Sequence, residues 1–116
     1  MPSPVTVWTS GTGVGRAGLT VSSLLVANGE PGLILGVIDP DSDWWASSPK
    51  SAVVNVLGQG HRFLAEAFAG TAPAPGGPFT LGSWTDSEWG PVLGDSSGWI
   101  GIRMLADPRP AGWGLL

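Results

Sequence analysis

The sequence predicts a mainly β domain: a small β-barrel with one or two short helices. Short stretches rich in Val, Ile, Leu, Thr and Trp are divided by Gly, Pro, Asn and Asp, the residues that turn a chain. The 19 glycines and 11 prolines among 116 residues place turns too often for long helices. One segment, GHRFLAEAFAG, carries a full apolar stripe at helical spacing.

The elements follow in order. PVTVWT, residues 4–9, alternates β-branched residues and predicts the first strand, and SGTGVG is a turn. RAGLTVSSLLVAN fits two periods. As a strand it places Leu19, Val21, Leu25 and Ala27 on one face, with Thr20 and Ser22 on the other; as a helix it has a passable stripe in Val21, Leu24 and Leu25. NGEPG turns the chain into the strand LILGVID. PDSDWWASSPKS holds a helical turn, with Pro40 at its first position, aspartates at its N-terminus and Pro49 limiting its length. SAVVNVLG is a further strand. In GHRFLAEAFAG the stripe is Phe63, Leu64, Ala67 and Phe68, and Gly70 is the C-cap. TAPAPGGP is a loop, and TLGSW, GPVLG, WIGIRML and GWGLL are short barrel strands without an internal repeat.

Composition narrows the function. The length allows one domain, residues 1–116, and 42% apolar against 12% charged residues means a folded core. A net charge of −4, with five scattered basic residues, leaves no footprint for nucleic acid or a membrane surface. No cysteine is present, which removes disulfides, thiolate catalysis and Cys-based metal sites. The single histidine, His61, has no second histidine to share a metal and reads as a solvated residue opening a helix. The aspartates of DPDSD alternate as calcium ligands do, but no Gly stands at the sixth position and no Glu at the twelfth. MPSPVTVWTS lacks the basic and apolar regions of a signal peptide, and no apolar run approaches a membrane span; the expectation is a cytoplasmic protein.

GVGRAG, Gly13 to Gly18, matches the G-x-G-x-x-G of dinucleotide-binding folds. The match lacks its context. TSGT separates the strand from Gly13, the residues after Gly18 are mediocre helix formers, and no strand–helix alternation follows. A turn whose glycines permit positive φ is the better reading, with Arg16 holding the turn or an ion pair.

A longer pattern carries more information. R-A-G-L-T-V-S-S is followed by a Pro before an apolar strand, then an acidic residue with a Ser a few positions on, then V-N-V-L, then a helix ending in F-A-G. In this order, from Arg16 to about Leu93, the chain resembles the flavin reductase-like family of FMN-binding split barrels. The resemblance implies a Greek-key barrel that dimerises and holds flavin near the subunit interface, possessing an FMN (or FAD) site and taking NAD(P)H as hydride donor. It implies that Thr20, Val21, Ser22 and Ser23 form a strand edge that meets the polar edge of the flavin ring. Asp39 to Ser42 and the short helix after them are implied to meet the flavin phosphate, with Ser42 foremost and Ser47, Ser48 and Lys50 beside it. Asn55, His61 and Arg62 are implied to line the same pocket.

No catalytic side chain is implied, because hydride passes between two cofactors and the protein supplies stacking geometry. Reductase members carry a late G-D-H whose His lies near the nicotinamide; Gly112-Trp113-Gly114 stands in its place. Relatives also continue through at least one more strand, so the barrel is expected to lack its last strand or strands here. Three functions remain open: an NAD(P)H:flavin reductase, with a partner monooxygenase as one recipient of reduced flavin; a flavin-binding module without turnover; and a structural split barrel. Of the seven tryptophans, the adjacent Trp44 and Trp45 point in different directions on a helix, so one is expected to pack inward and the other to shield a ligand or a dimer partner.

Overall fold

A computed structural model describes residues 5–27, 29, 32–36, 38 and 41–104. β-branched Thr6, Val7 and Thr9 set the first strand, β1 (Thr6–Ser10), in which all five residues are buried. It lies inside a four-stranded antiparallel sheet of order β2-β1-β5-β8, whose other members are β2 (Ala17–Val21), β5 (Ser51–Val56) and β8 (Gly98–Arg103). Two hairpins complete the described strands: β3 (Leu24–Ala27) with β4 (Leu33–Gly36), and β6 (Trp84–Ser87) with β7 (Gly90–Leu93). The helices are α1 (Asp43–Ala46) and α2 (Arg62–Ala69).

Alternation along the strands divides the interior in two. Trp8, Leu19, Val21, Ala52 and Val54 share one face of the sheet, with Trp44 of α1 packed among them. Val7 points the other way and joins Leu64 and Phe68 of α2 and Leu93 of β7. Phe68, Phe79 and Trp84 extend this second core as mutual edge-to-face rings, with centroids 5.0 to 5.5 Å apart. The sheet is covered by α1 on one side and by α2 with β7 on the other.

A polar brace joins the strands on the α2 side. Asn55 is fully buried, and its Nδ2 donates to Val7 O (3.0 Å) and Thr9 Oγ1 (3.1 Å) while its Oδ1 accepts from Leu93 N (2.9 Å). Thr9 Oγ1 in turn donates to Pro91 O at 2.6 Å. One carboxamide thus ties β5, β1 and β7 together with every polar atom partnered.

Several sequence expectations change. RAGLTVSSLLVAN is two strands broken at Ser22-Ser23, and the break resets the alternation: Leu19 and Val21 are buried with Thr20 opposite, but Leu25 is 61% exposed. In α2 the stripe is Leu64, Ala67 and Phe68; Phe63 lies outside it, 47% exposed. Gly70 ends the helix at φ 78°, the left-handed cap its sequence predicts. TAPAPGGP leads into a 3-10 turn at Pro78–Thr80 that seats Phe79, and the strand expected in TLGSW starts only at Trp84. GWGLL and Pro40 lie outside the described residues.

GVGRAG is a turn. Gly13–Gly15 form a 3-10 turn, Gly13 at φ 55°, and the Arg16 N–H folds back onto Gly13 O. Arg16 Nε donates to the same carbonyl at 3.1 Å, and its guanidinium lies over the Phe79 ring. Gly18 is needed for space: the Phe68 ring occupies the place of a Cβ.

Asn55→Ala leaves Thr9, the Val7 carbonyl and the Leu93 N–H short of partners inside the protein. Urea denaturation is expected to show a loss of about 3 kcal/mol of stability, far more than a surface Asn→Ala change.

Candidate functional site

The end of β2 is the first part of the site. β2 pairs with β1 alone among the described residues, so its other edge leaves backbone N–H and C=O groups free. Thr20 does not present its hydroxyl there: Oγ1 donates to Ala65 O of α2 at 2.7 Å. Val21 is buried, and its carbonyl accepts from Thr6 Oγ1 at 2.7 Å. Ser22 and Ser23 are exposed between β2 and β3, and neither hydroxyl has a protein partner among the described residues.

The second part is α1, which packs against β2. Ser42 is its N-cap, with Oγ accepting from Trp45 N at 3.2 Å, and Ser47 Oγ donates to Trp44 O at 2.7 Å. Ser48 is exposed and held at φ 51°, in the left-handed region, as the chain leaves the helix toward Pro49. Lys50 is exposed; its carbonyl accepts from Met104 N at 2.9 Å. Asp39 lies outside the described residues.

The two tryptophans of α1 divide as adjacent helical residues must. Trp44 is fully buried, edge-on to Trp8 with centroids 5.9 Å apart, in the same cluster as Val21. Trp45 is half-buried. With Leu24, Ile34, Ile38 and Met104 it forms the partly exposed rim of that cluster. Trp44 Nε1 has no hydrogen-bond acceptor among the described residues, whereas Trp8 Nε1 reaches Thr6 Oγ1 (3.0 Å) and Trp84 Nε1 reaches Leu81 O (2.7 Å). A buried donor left unpaired costs about 1–3 kcal/mol.

Asn55 and His61 stand apart from this rim. Asn55 faces the α2 side, with no exposed surface and no free polar atom, so it braces strands and does not line a pocket with Ser42. His61 corrects the expectation of a solvated residue. It is 8% exposed, Nδ1 accepts from Gly58 N (3.0 Å) and Nε2 meets Asp95 Oδ2 (3.1 Å). Because Nδ1 is an acceptor, the ring carries its proton on Nε2 and donates it to Asp95, which spends both nitrogens on structure. Arg62 pairs with Glu66 at 3.0 Å on the surface, one helical turn along, a contact of little energetic weight.

Sequence reasoning missed Asp95 and the unpaired indole of Trp44. Asp95 lies in GDSSG, which signals only a turn, and nothing local connects it with a histidine on another element. The Trp44–Trp45 pair did signal one inward and one outward ring, but not which had lost its acceptor.

The geometry can hold a flat, polar-edged ring. The rim supplies apolar surface for its face, and the β2 edge with Ser22 and Ser23 supplies donors and acceptors for its perimeter. Among the described residues no group of His, Asp and Glu could hold a metal ion, and no helix is long and apolar enough to cross a membrane.

Comparison with known proteins defines the class. The family model for the flavin reductase-like domain matches residues 1–115, and the chain belongs to that family. The fold is that of solved split-barrel flavin reductases. Flavin reductase PheA2 is 21% identical with a TM-score of 0.79, covering 96% of this chain and 71% of its own. SgcE6 of Streptomyces globisporus, an NADH:FAD oxidoreductase solved with NAD and FAD fragments, is 23% identical with a TM-score of 0.73, covering 94% and 67%. BorF, the flavin reductase component of a bacterial two-component tryptophan halogenase, is 21% identical with a TM-score of 0.76, covering 96% and 72%. A search of curated proteins returned no match.

The His61–Asp95 bond predicts a pH effect. The hydrogen bond from His61 holds the Asp95 carboxyl below its ordinary value. A depressed folded-state value means stabilisation that is present above the ordinary carboxylate range and lost as pH falls through the folded value. Asp95→Asn is expected to lower the urea midpoint near neutrality, with the gap from the parent protein closing under acid.

Proposed function

We infer that the protein is an NAD(P)H-dependent flavin oxidoreductase: it binds FMN and passes hydride from the nicotinamide to the flavin. The observation that carries this is the outer edge of β2, free among the described residues, with Ser22 and Ser23 unpartnered there, beside the half-buried rim of Trp45, Leu24 and Ile34. Family membership supports flavin as the ligand of that edge. The residues fit the group: an apolar rim, a line of peptide donors and acceptors, and a buried indole N–H lacking an acceptor among the described residues.

Flavin, when bound, accepts the hydride. The chain binds and orients. The β2 edge, continued through Ser22 and Ser23, fixes the ring perimeter, and the rim excludes water from one side. Ser48 and Lys50, exposed where the chain leaves α1, are suited to the phosphate; Ser42 contributes by capping the helix that carries them. Asp39 is proposed to join them. Val21 and Thr20 act by position, as strand backbone, while Asn55 and His61 support the frame.

The working unit is proposed to be a homodimer. Leu25 (61% exposed) and Val26 (63%) point to opposite faces of β3, and Leu33 (43%), Trp99 (49%) and Ile100 (51%) are also open. The ribbon of β3 and β4 meets the core through Leu24 and Ile34 and leaves Leu25, Val26 and Leu33 wet; a second copy covers them. We place the protein in the cytoplasm as one domain spanning residues 1–116, delivering reduced flavin to a partner monooxygenase or similar enzyme, as befits a neighbour of BorF. A flavin-binding module without turnover is the second reading, favoured by Gly112-Trp113-Gly114 where reductases carry G-D-H.

Purified protein mixed with FMN is expected to perturb the flavin absorbance and to consume NADH or NADPH. Binding without consumption selects the second reading, and no binding rejects both. Leu25→Asp is expected to halve the mass in solution, by light scattering, while the parent runs as a dimer.

A further inference from the structure

We propose that the indole N–H of Trp44 is a flavin-binding donor, hydrogen-bonded to an acceptor on the isoalloxazine ring. The proposal rests on the flavin reading above and adds to it a residue that neither the motif nor the strand edge identifies.

Trp44 is fully buried, yet its Nε1 has no acceptor among the described residues. Buried indole donors ordinarily find one, as those of Trp8 and Trp84 do here. Phenylalanine would fill an apolar slot without this penalty, so the donor calls for a partner beyond the described residues, and a bound ligand supplies one. Its placement says which partner. Trp44 belongs to the same cluster as Val21, the buried valine of the T-V-S-S segment, and α1 packs against β2, whose outer edge has no strand partner among the described residues.

The indole is also held in place. Ser42 caps the start of α1, and Ser47 bonds the Trp44 carbonyl at 2.7 Å, so this short helix is tied at both ends. Trp8 meets Trp44 edge-on at 5.9 Å and brings no oxygen or free nitrogen acceptor, since its own Nε1–H is a donor already bonded to Thr6. The remaining neighbours in the cluster, Leu19, Ala52 and Val54, are apolar. No charged residue of α1 or of this cluster is buried beside Trp44 to pair with a phosphate, whereas a neutral planar ring needs no counter-charge. The solvent-reached part of the cluster is the rim of Trp45, Leu24, Ile34, Ile38 and Met104, so a ring that meets the fully buried Trp44 must part that rim to reach it.

The test uses the full chain with 15N-labelled tryptophan, titrated with FMN and with lumiflavin, which keeps the ring and lacks the phosphate. The Trp44 indole signal, identified among the seven by its loss in Trp44→Phe, is expected to move downfield with both ligands. Trp44→Phe is expected to weaken both by about tenfold, the loss of one hydrogen bond in a dry site. If that variant does not fold, 3-benzothienylalanine at position 44 replaces the N–H by sulfur at constant shape and is expected to show the same loss. A Trp44 signal that stays fixed at saturation, or equal affinity in the variants, overturns the proposal while the flavin reading stands. Weakening of FMN alone overturns the assignment to the ring. Failure of the parent protein to bind either ligand rejects the flavin reading itself, and the proposal with it.

Discussion

The burial of β1 on both faces is the constraint on which the rest depends. A five-residue strand with no exposed side needs a cover above and below, and its alternation decides what each must be. Trp8 calls for the aromatic partner that α1 provides, and Val7 for the aliphatic and aromatic face of α2. Thr6 and Thr9 place hydroxyls inside, and these must be bonded: Thr6 holds the Val21 carbonyl and the Trp8 indole, and Thr9 bridges to Pro91 and Asn55. The Asn55 carboxamide then locks β7 onto the same strand.

That arrangement fixes where a ligand can be accepted. The α2 side is closed by packing and by the Asn55–Thr9 network, in which every polar side-chain atom is partnered. The α1 side is less complete. It has a strand edge without a neighbour among the described residues, two exposed serines, a half-buried rim and one buried indole donor without an acceptor. Unspent hydrogen-bonding capacity is thus concentrated on one side of the sheet, where cofactor binding can draw on it.

Much of the frame was legible in the sequence because it is local. Alternation gave β1 and β5, the apolar stripe with Gly70 gave α2, and the T-V-S-S and V-N-V-L segments gave the family. What was not legible depends on partners distant in the chain. Asn55 reads as a polar residue available to a ligand until Val7, Thr9 and Leu93 are seen around it. His61 reads as solvated until Asp95 arrives from a turn after β7. Leu25 reads as a core residue because strand periodicity was carried across Ser22-Ser23, where the chain breaks step and starts a new strand. The glycines of GVGRAG show the same limit: their spacing is that of a phosphate loop, but Gly18 exists to let the Phe68 ring approach.

The central claim is that flavin binds at the β2 edge on the α1 side of the sheet. Backbone amide shifts recorded during an FMN titration test it most directly. The account predicts that the amides of Ser22, Ser23 and Trp45 move together at a single binding constant, while those of Gly58 and Asp95 on the far side stay in place. Shifts centred on Gly58, His61 and Asp95, with the β2 edge unmoved, would contradict it.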